Sequence, residues 1–166
     1  MKRDIGLVWL KGHLYGVLYL AVIVGVIPFL LKGLDRYLPL ALPGLLRDAG
    51  VVVFLAGLAL DYWCLWLFIT RGRGTAFPLD PPHALVVNGP YRYVRNPIVI
   101  GMFAMILGEA LYFTSSVVLV YTVGGIVAYH FYLVYVEEPE LKGRFGTPYE
   151  AYEMAVPRWI PRLRGP

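Results

Sequence analysis

The sequence predicts an all-α integral membrane protein: a bundle of four transmembrane helices, the third and fourth forming a tight hairpin, with a cytoplasmic loop and a C-terminal helical lid. Three observations carry this prediction. Apolar residues make up 58% of the 166 and charged residues 16%, against about 45–50% and 25% in a soluble domain. The mean hydropathy of +0.62 leaves more apolar surface than the interior of so small a soluble protein can hold. The basic residues, finally, are distributed very unevenly between the apolar stretches.

A bilayer-crossing helix takes about 20 residues, and four stretches approach or reach that length. The first is about 14–31, with Pro28 near its end, a residue that membrane helices tolerate. A cleavable signal peptide is the weaker reading of it, because the apolar run is too long and no small-residue cleavage site follows. The second is about 49–70, interrupted by Asp61. The third, about 97–113, is short and carries Glu109 near its far end. The fourth is about 116–136, with His130 in its last third. Only Thr114 and Ser115 separate the third from the fourth, hence the hairpin.

With four spans, both termini and the loop Arg71–Asn96 share one side. Of the 15 Lys and Arg, only Lys32, Arg36 and Arg47 fall on the other. The positive-inside rule places the twelve, including Lys2, Arg3, Arg162 and Arg164, in the cytoplasm. The reading is one membrane domain, 1–166, with both termini and any active site cytoplasmic. The cytoplasmic loop of 26 residues is longer than a structureless connection usually is without a function.

Other classes are excluded on composition. A soluble enzyme and a disordered chain do not fit this hydropathy. The lone Cys64 rules out an intramolecular disulfide framework, and His13, His83 and His130 have no metal-ligand spacing, so no metal site is expected. The net charge of +4 follows the membrane orientation pattern, so no nucleic-acid partner is expected.

Two segments carry chemistry. In the loop, Asp80-Pro81-Pro82 is a rigid breaker and Asn88-Gly89-Pro90 a turn. Tyr91, Arg92, Tyr93 and Arg95 then lead into Asn96-Pro97, which suit the N-cap and first position of the third helix. A helix N-terminus holds anionic groups. The alternative is that the arginines are snorkelling anchors and the tyrosines an aromatic belt. In the tail, Glu137 and Glu138 stand at the inner end of the fourth helix, where the helix dipole favours cations, so a cation, a ribose diol or an Arg is needed to compensate them. Tyr149 and Tyr152 share one face of a short helix. Val156–Pro161 then returns an apolar strip to the membrane surface. The alternative here is an amphipathic tail with a solvated acidic patch.

Taken together, the two segments resemble the signature of the membrane methyltransferase superfamily that includes the isoprenylcysteine carboxyl methyltransferases and the phosphatidylethanolamine methyltransferases. Gly89, Pro90, Tyr91, Arg95, Asn96, Pro97 and Gly101 match its first half. Glu137, Glu138, Leu141, Phe145, Gly146, Tyr149, Tyr152, Val156, Pro157, Ile160 and Pro161 match its second at one fixed spacing. The resemblance covers roughly 71–163. Asn96 stands where the prenylcysteine branch has His, Val99 where nearly all branches have Tyr, and no Arg lies between His130 and Glu137.

The resemblance implies S-adenosylmethionine as methyl donor, S-adenosylhomocysteine as product, and a cofactor region at 71–163. It implies cofactor contacts from Tyr91, Arg95, Asn96, Pro97, Gly101, Glu137, Glu138, Phe145 and Tyr149, and catalytic roles for Arg95, Asn96, Glu138 and Arg158. Glu137 or Glu138 can accept hydrogen bonds from the donor's ribose or ammonium. Arg95 with the third helix's N-terminus can hold its carboxylate. Tyr91, Tyr149 or Phe145 can pack on adenine. Arg158 is the candidate to neutralise the glutamates. The acceptor is expected to be lipid-borne and to enter laterally from the bilayer, with a phospholipid amine preferred over a prenylcysteine carboxylate. Asp61, paired with His130 or a Tyr hydroxyl, is read either as structural glue or as a substrate contact. A catalytically weakened binding subunit and a small transporter are the competing classes.

Overall fold

The computed structural model describes residues 5–77 and 79–161. Lys2, Arg3, Arg162 and Arg164 of the charge count, and the last residues of the 71–163 region, lie outside them. The chain is all-helical: among the described residues the only strand-like feature is an isolated pairing of Pro39 with Ser115. Three helices, α1 (Gly6–Tyr37), α2 (Gly44–Gly72) and α4 (Ser116–Phe145), are long and apolar enough to cross a membrane. A shorter apolar helix, α3 (Pro97–Tyr112), lies between them in sequence. A fifth, α5 (Thr147–Ala155), follows a break at Gly146.

The long helices overrun the bounds expected from hydropathy, and two of them accommodate an internal proline. Pro28 and Pro139 are each preceded by a widened turn, Ala21–Val26 and Leu133–Glu137. In such a turn hydrogen bonds run i→i+5, which relieves the clash of the ring with the preceding carbonyl. Glu137 and Glu138 therefore do not sit at a helix end, as the sequence predicted. The helix carries on for two more turns, to Phe145, and the dipole argument for their compensation falls away.

Helix α3 is the centre of the bundle. Nine of its residues are buried, as befits a helix that is apolar all round. Val99, Met102, Phe103, Met105, Ile106 and Ala110 form the main core with Val24 of α1 and Val118 of α4. The outer helices face the other way: the most apolar windows of α1, α2 and α4 are only 11%, 22% and 17% buried. Residues such as Leu18, Val52 and Val120 stand in the open, which for side chains of this kind is a lipid-facing surface.

Two contacts fix the pairing of elements. Gly50 and Gly57 of α2 meet Gly108 and Gly101 of antiparallel α3; a Cβ on Gly57 would lie 2.6 Å from the Gly101 carbonyl oxygen, and one on Gly108 would lie 2.6 Å from that of Gly50. The backbones touch, as small residues permit inside membranes. At the end remote from the motifs, Asp35 of α1 caps α4: its Oδ1 accepts from the Val117 amide at 3.2 Å and from Ser115 Oγ at 2.9 Å. Residues 113–115 turn α3 into α4, with Thr114 at φ +52° and the Ser115 amide bonded to the Ala110 carbonyl at 2.9 Å.

Candidate active site at the motif end of the bundle

The loop after α2 folds back onto the helices. The His83 amide donates to the Gly72 carbonyl at 2.8 Å, and the Thr75 amide to that of Asp80 at 2.7 Å. Phe77 wedges against Tyr15 and Tyr19 of α1. Gly89 opens a short 3-10 turn, Gly89–Arg92, at φ +59°. A side chain there is doubly barred, because a Cβ would also sit 2.9 Å from Leu67. The turn buries Tyr91 against Phe68 and beside Cys64. Burial, then the nearby thiol, pushes its phenol well above the ordinary value.

The two motif halves are stitched to each other. The Arg95 amide donates to the Pro157 carbonyl at 2.9 Å, the Asn96 side-chain amide to the Arg158 carbonyl at 3.2 Å, and the Tyr152 hydroxyl to the Tyr91 carbonyl at 2.8 Å. Asn96 does occupy the position before α3 and Pro97 its first turn, but the Asn96 side chain does not cap the helix. It is drawn away to the tail, which leaves the first N–H groups of α3 without a side-chain partner.

Charge pairing completes the stitch. Arg158 grips Glu138 bidentately, Nε to Oε1 at 2.7 Å and Nη2 to Oε2 at 2.8 Å. Arg95 Nη1 lies 3.2 Å from the same Oε1 and 3.1 Å from Glu153, which also pairs with Lys142 at 2.7 Å. The Lys142 contact foremost, and then Arg95, hold the Glu153 carboxyl below the ordinary glutamate value. Burial foremost, and Glu138 next, push the Tyr149 phenol up to about 12, against the pull of Arg95. Glu138 is thus saturated. Glu137 has no hydrogen bond or ion pair among the described residues and faces a cavity.

That cavity, of about 640 Å³, runs from the polar cap into the bundle. Its polar end is walled by Tyr91, Arg95, Asn96, Glu137, Phe145 and Tyr149, six of the residues singled out from sequence, with Arg144 and Tyr152. The other four stand behind the wall: Pro97 buried in the first turn of α3, Gly101 at the α2–α3 contact, and Glu138 and Arg158 in the stitch. Arg95 Nε is buried without an acceptor. Val99, where the signature has Tyr, also lines the cavity. The tyrosines of the deeper end, Tyr19, Tyr121, Tyr129 and Tyr132, were missed, as was Glu153. The signal was present, since positions 121, 125, 128, 129 and 132 fall on one helical stripe. His130 accepts from Trp159 Nε1 at 3.1 Å and is not Asp61's partner; the returning tail reaches it first.

A family model described as phospholipid methyltransferase matches residues 46–148, more than half of the chain. The chain is also similar to a protein-S-isoprenylcysteine O-methyltransferase of Schizosaccharomyces pombe, with 29% identity over 164 residues, covering 87% of this chain and 67% of that protein. No solved structure matches.

Proposed function

Since the chain belongs to the phospholipid methyltransferase family, a family of membrane methyltransferases, we propose that it transfers a methyl group from S-adenosylmethionine to a lipid-borne acceptor reaching the cavity from within the bilayer. One observation carries this reading: a single cavity joins a charged end under the motif residues to an aromatic end between lipid-facing helices. The volume lies within the range of small-molecule sites, and the unpaired Glu137, the acceptor-less Arg95 Nε and the uncapped start of α3 fit the donor's polar groups.

Bound there, S-adenosylmethionine supplies an electrophilic methyl on a sulfonium. Glu137 accepts hydrogen bonds from its ribose or ammonium. Arg95 and the open N–H groups of α3 hold its carboxylate. Tyr91, Phe145 and Tyr149 pack on its base, while α5 and the tail, anchored by Glu138–Arg158 and by Asn96, close over the site and exclude water. Pro97 and Gly101 set the position of α3. The displacement then requires mainly alignment.

In this reading the chain is one membrane domain with four spans. Helix α3, at 16 residues about 24 Å long, crosses where its neighbours shield it, and the site faces the cytoplasm. Asn96 and the absence of Arg between His130 and Glu137 favour a phospholipid amine. The name of the fission-yeast relative favours a carboxylate in equal measure. Methyl-tritiated S-adenosylmethionine separates the two. Label that enters extractable lipid and survives mild alkali is on nitrogen; label released as methanol is a carboxyl ester. No enzyme-dependent transfer to either would overturn the methyl-transfer reading.

A further inference from the structure

A second cavity, of about 280 Å³, lies at the end of the bundle remote from the motifs. Its size is close to the lower end of the range for small-ligand sites. Its floor is the crossing of α2 with α3, where Gly50 and Gly108 meet backbone to backbone. Without side chains they leave a hollow between Phe54 and Leu55 of α2 and Tyr112 of α3. One carboxylate lines it, that of Glu109, about one turn before the end of α3. Glu109 stands about 20 Å along α3 from Asn96, so one headgroup cannot fill both this cavity and the one under the motifs.

Glu109 has no hydrogen bond or ion pair among the described residues. Its Oε2 is sealed off without a partner, so a donor can reach the carboxylate only at its other oxygen, Oε1. A carboxylate on a membrane helix without a donor is costly. Two cations stand on the same rim. Lys32 of α1 lies 4.3 Å from the centroid of the Phe113 ring, which lines the cavity, and 5.0 Å from that of Phe29. It is within electrostatic reach of Glu109 but donates no hydrogen bond to it. Arg47 of α2 donates through Nε to the Tyr112 carbonyl at 3.3 Å, and its two Nη groups are uncommitted among the described residues.

Two cations against one carboxylate leave this rim net positive, which suits an anion and not an ammonium. The carboxylate still needs a donor, and a hydroxyl supplies one without adding positive charge. We propose that the cavity binds an anionic phospholipid whose headgroup carries hydroxyls, of the phosphatidylglycerol kind. The phosphate lies between Lys32 and Arg47 in charge-assisted contacts, and the headgroup hydroxyls donate to Glu109. The acyl chains leave along the exposed Leu55 and Leu58 of α2. The bound lipid thereby ties α1, α2 and α3 together at this end. The inference does not depend on the methyl-transfer reading.

The test is native mass spectrometry of the purified protein in neutral detergent. It is offered equal amounts of phosphatidylglycerol, phosphatidylmethanol and phosphatidylethanolamine with distinguishable acyl chains of equal length. Phosphatidylmethanol has the charge of phosphatidylglycerol but no headgroup hydroxyl. The expected result is phosphatidylglycerol retained about tenfold over phosphatidylmethanol, the scale of a hydrogen bond to a charged group, with phosphatidylethanolamine retained least. Glu109→Leu, which removes the sealed oxygen and so does not endanger the fold, should bring phosphatidylglycerol down to the level of phosphatidylmethanol. Lys32→Ala should bring both anionic lipids towards phosphatidylethanolamine, while Arg92→Ala at the motif end leaves the ranking intact. The wild-type ranking and Glu109→Leu decide the matter even if Lys32→Ala does not fold. Phosphatidylethanolamine or phosphatidylmethanol level with phosphatidylglycerol on the wild-type protein, an unchanged ranking in Glu109→Leu or in folded Lys32→Ala, or a ranking erased by Arg92→Ala would each overturn the inference.

Discussion

Glu137 and Glu138 are neighbours in the chain and opposites in circumstance. Glu138 is 5% exposed and fully engaged by Arg158 and Arg95, whereas Glu137 faces the cavity unpaired. Their pairing in the signature was legible in the sequence; the division of labour was not, because it depends on where the tail lays Arg158. Removing one partner of a buried charge leaves that charge unsatisfied, at a cost of about 1–3 kcal/mol. Arg158→Ala should therefore lower the thermal unfolding midpoint in detergent. Arg158→Lys should recover only part of the loss, since an ammonium cannot reproduce the two-pronged contact. An unchanged midpoint in Arg158→Ala would remove the stitch from the account.

At the level of elements, hydropathy located all four apolar helices but misplaced their ends. The run of apolar residues stops where the lipid contact stops, and helices do not have to. The widened turns before Pro28 and Pro139 carry the helices past both prolines, and nothing local in composition announces such a turn. The crossing of α2 with α3 is legible in the glycine spacing: Gly50 and Gly57, like Gly101 and Gly108, are seven apart and so share a face. Gly57→Val would place atoms 2.6 Å from the Gly101 carbonyl oxygen and 2.9 Å from the Met105 amide nitrogen, so the helices must part. Overpacking of this kind costs about 1–3 kcal/mol. Gly124→Ala, whose Cβ meets nothing within 4 Å, should be neutral or slightly stabilising. Detergent melting curves compare the two directly, and equal effects would contradict the close crossing.

For the molecule as a whole, the charge asymmetry predicts which end faces the cytoplasm. Against the buried native Cys64, a cysteine at Leu40 should react with an impermeant maleimide in intact cells, and one at His83 only after permeabilisation; the reverse pattern would invert the orientation. The motifs made the polar half of the cavity legible because they are short and local. The aromatic half is assembled from α1, α2 and α4, three helices far apart in sequence, and emerges only when they pack around α3. The central claim is that a methyl donor binds at the polar end through Glu137. Calorimetric titration of the purified protein with S-adenosylhomocysteine tests this most directly. The account predicts one site per chain, with Glu137→Gln weakening it by about 1.5–3 kcal/mol, the contribution of hydrogen bonds to a charged group. No binding to the wild-type chain, or equal binding by Glu137→Gln, would contradict it.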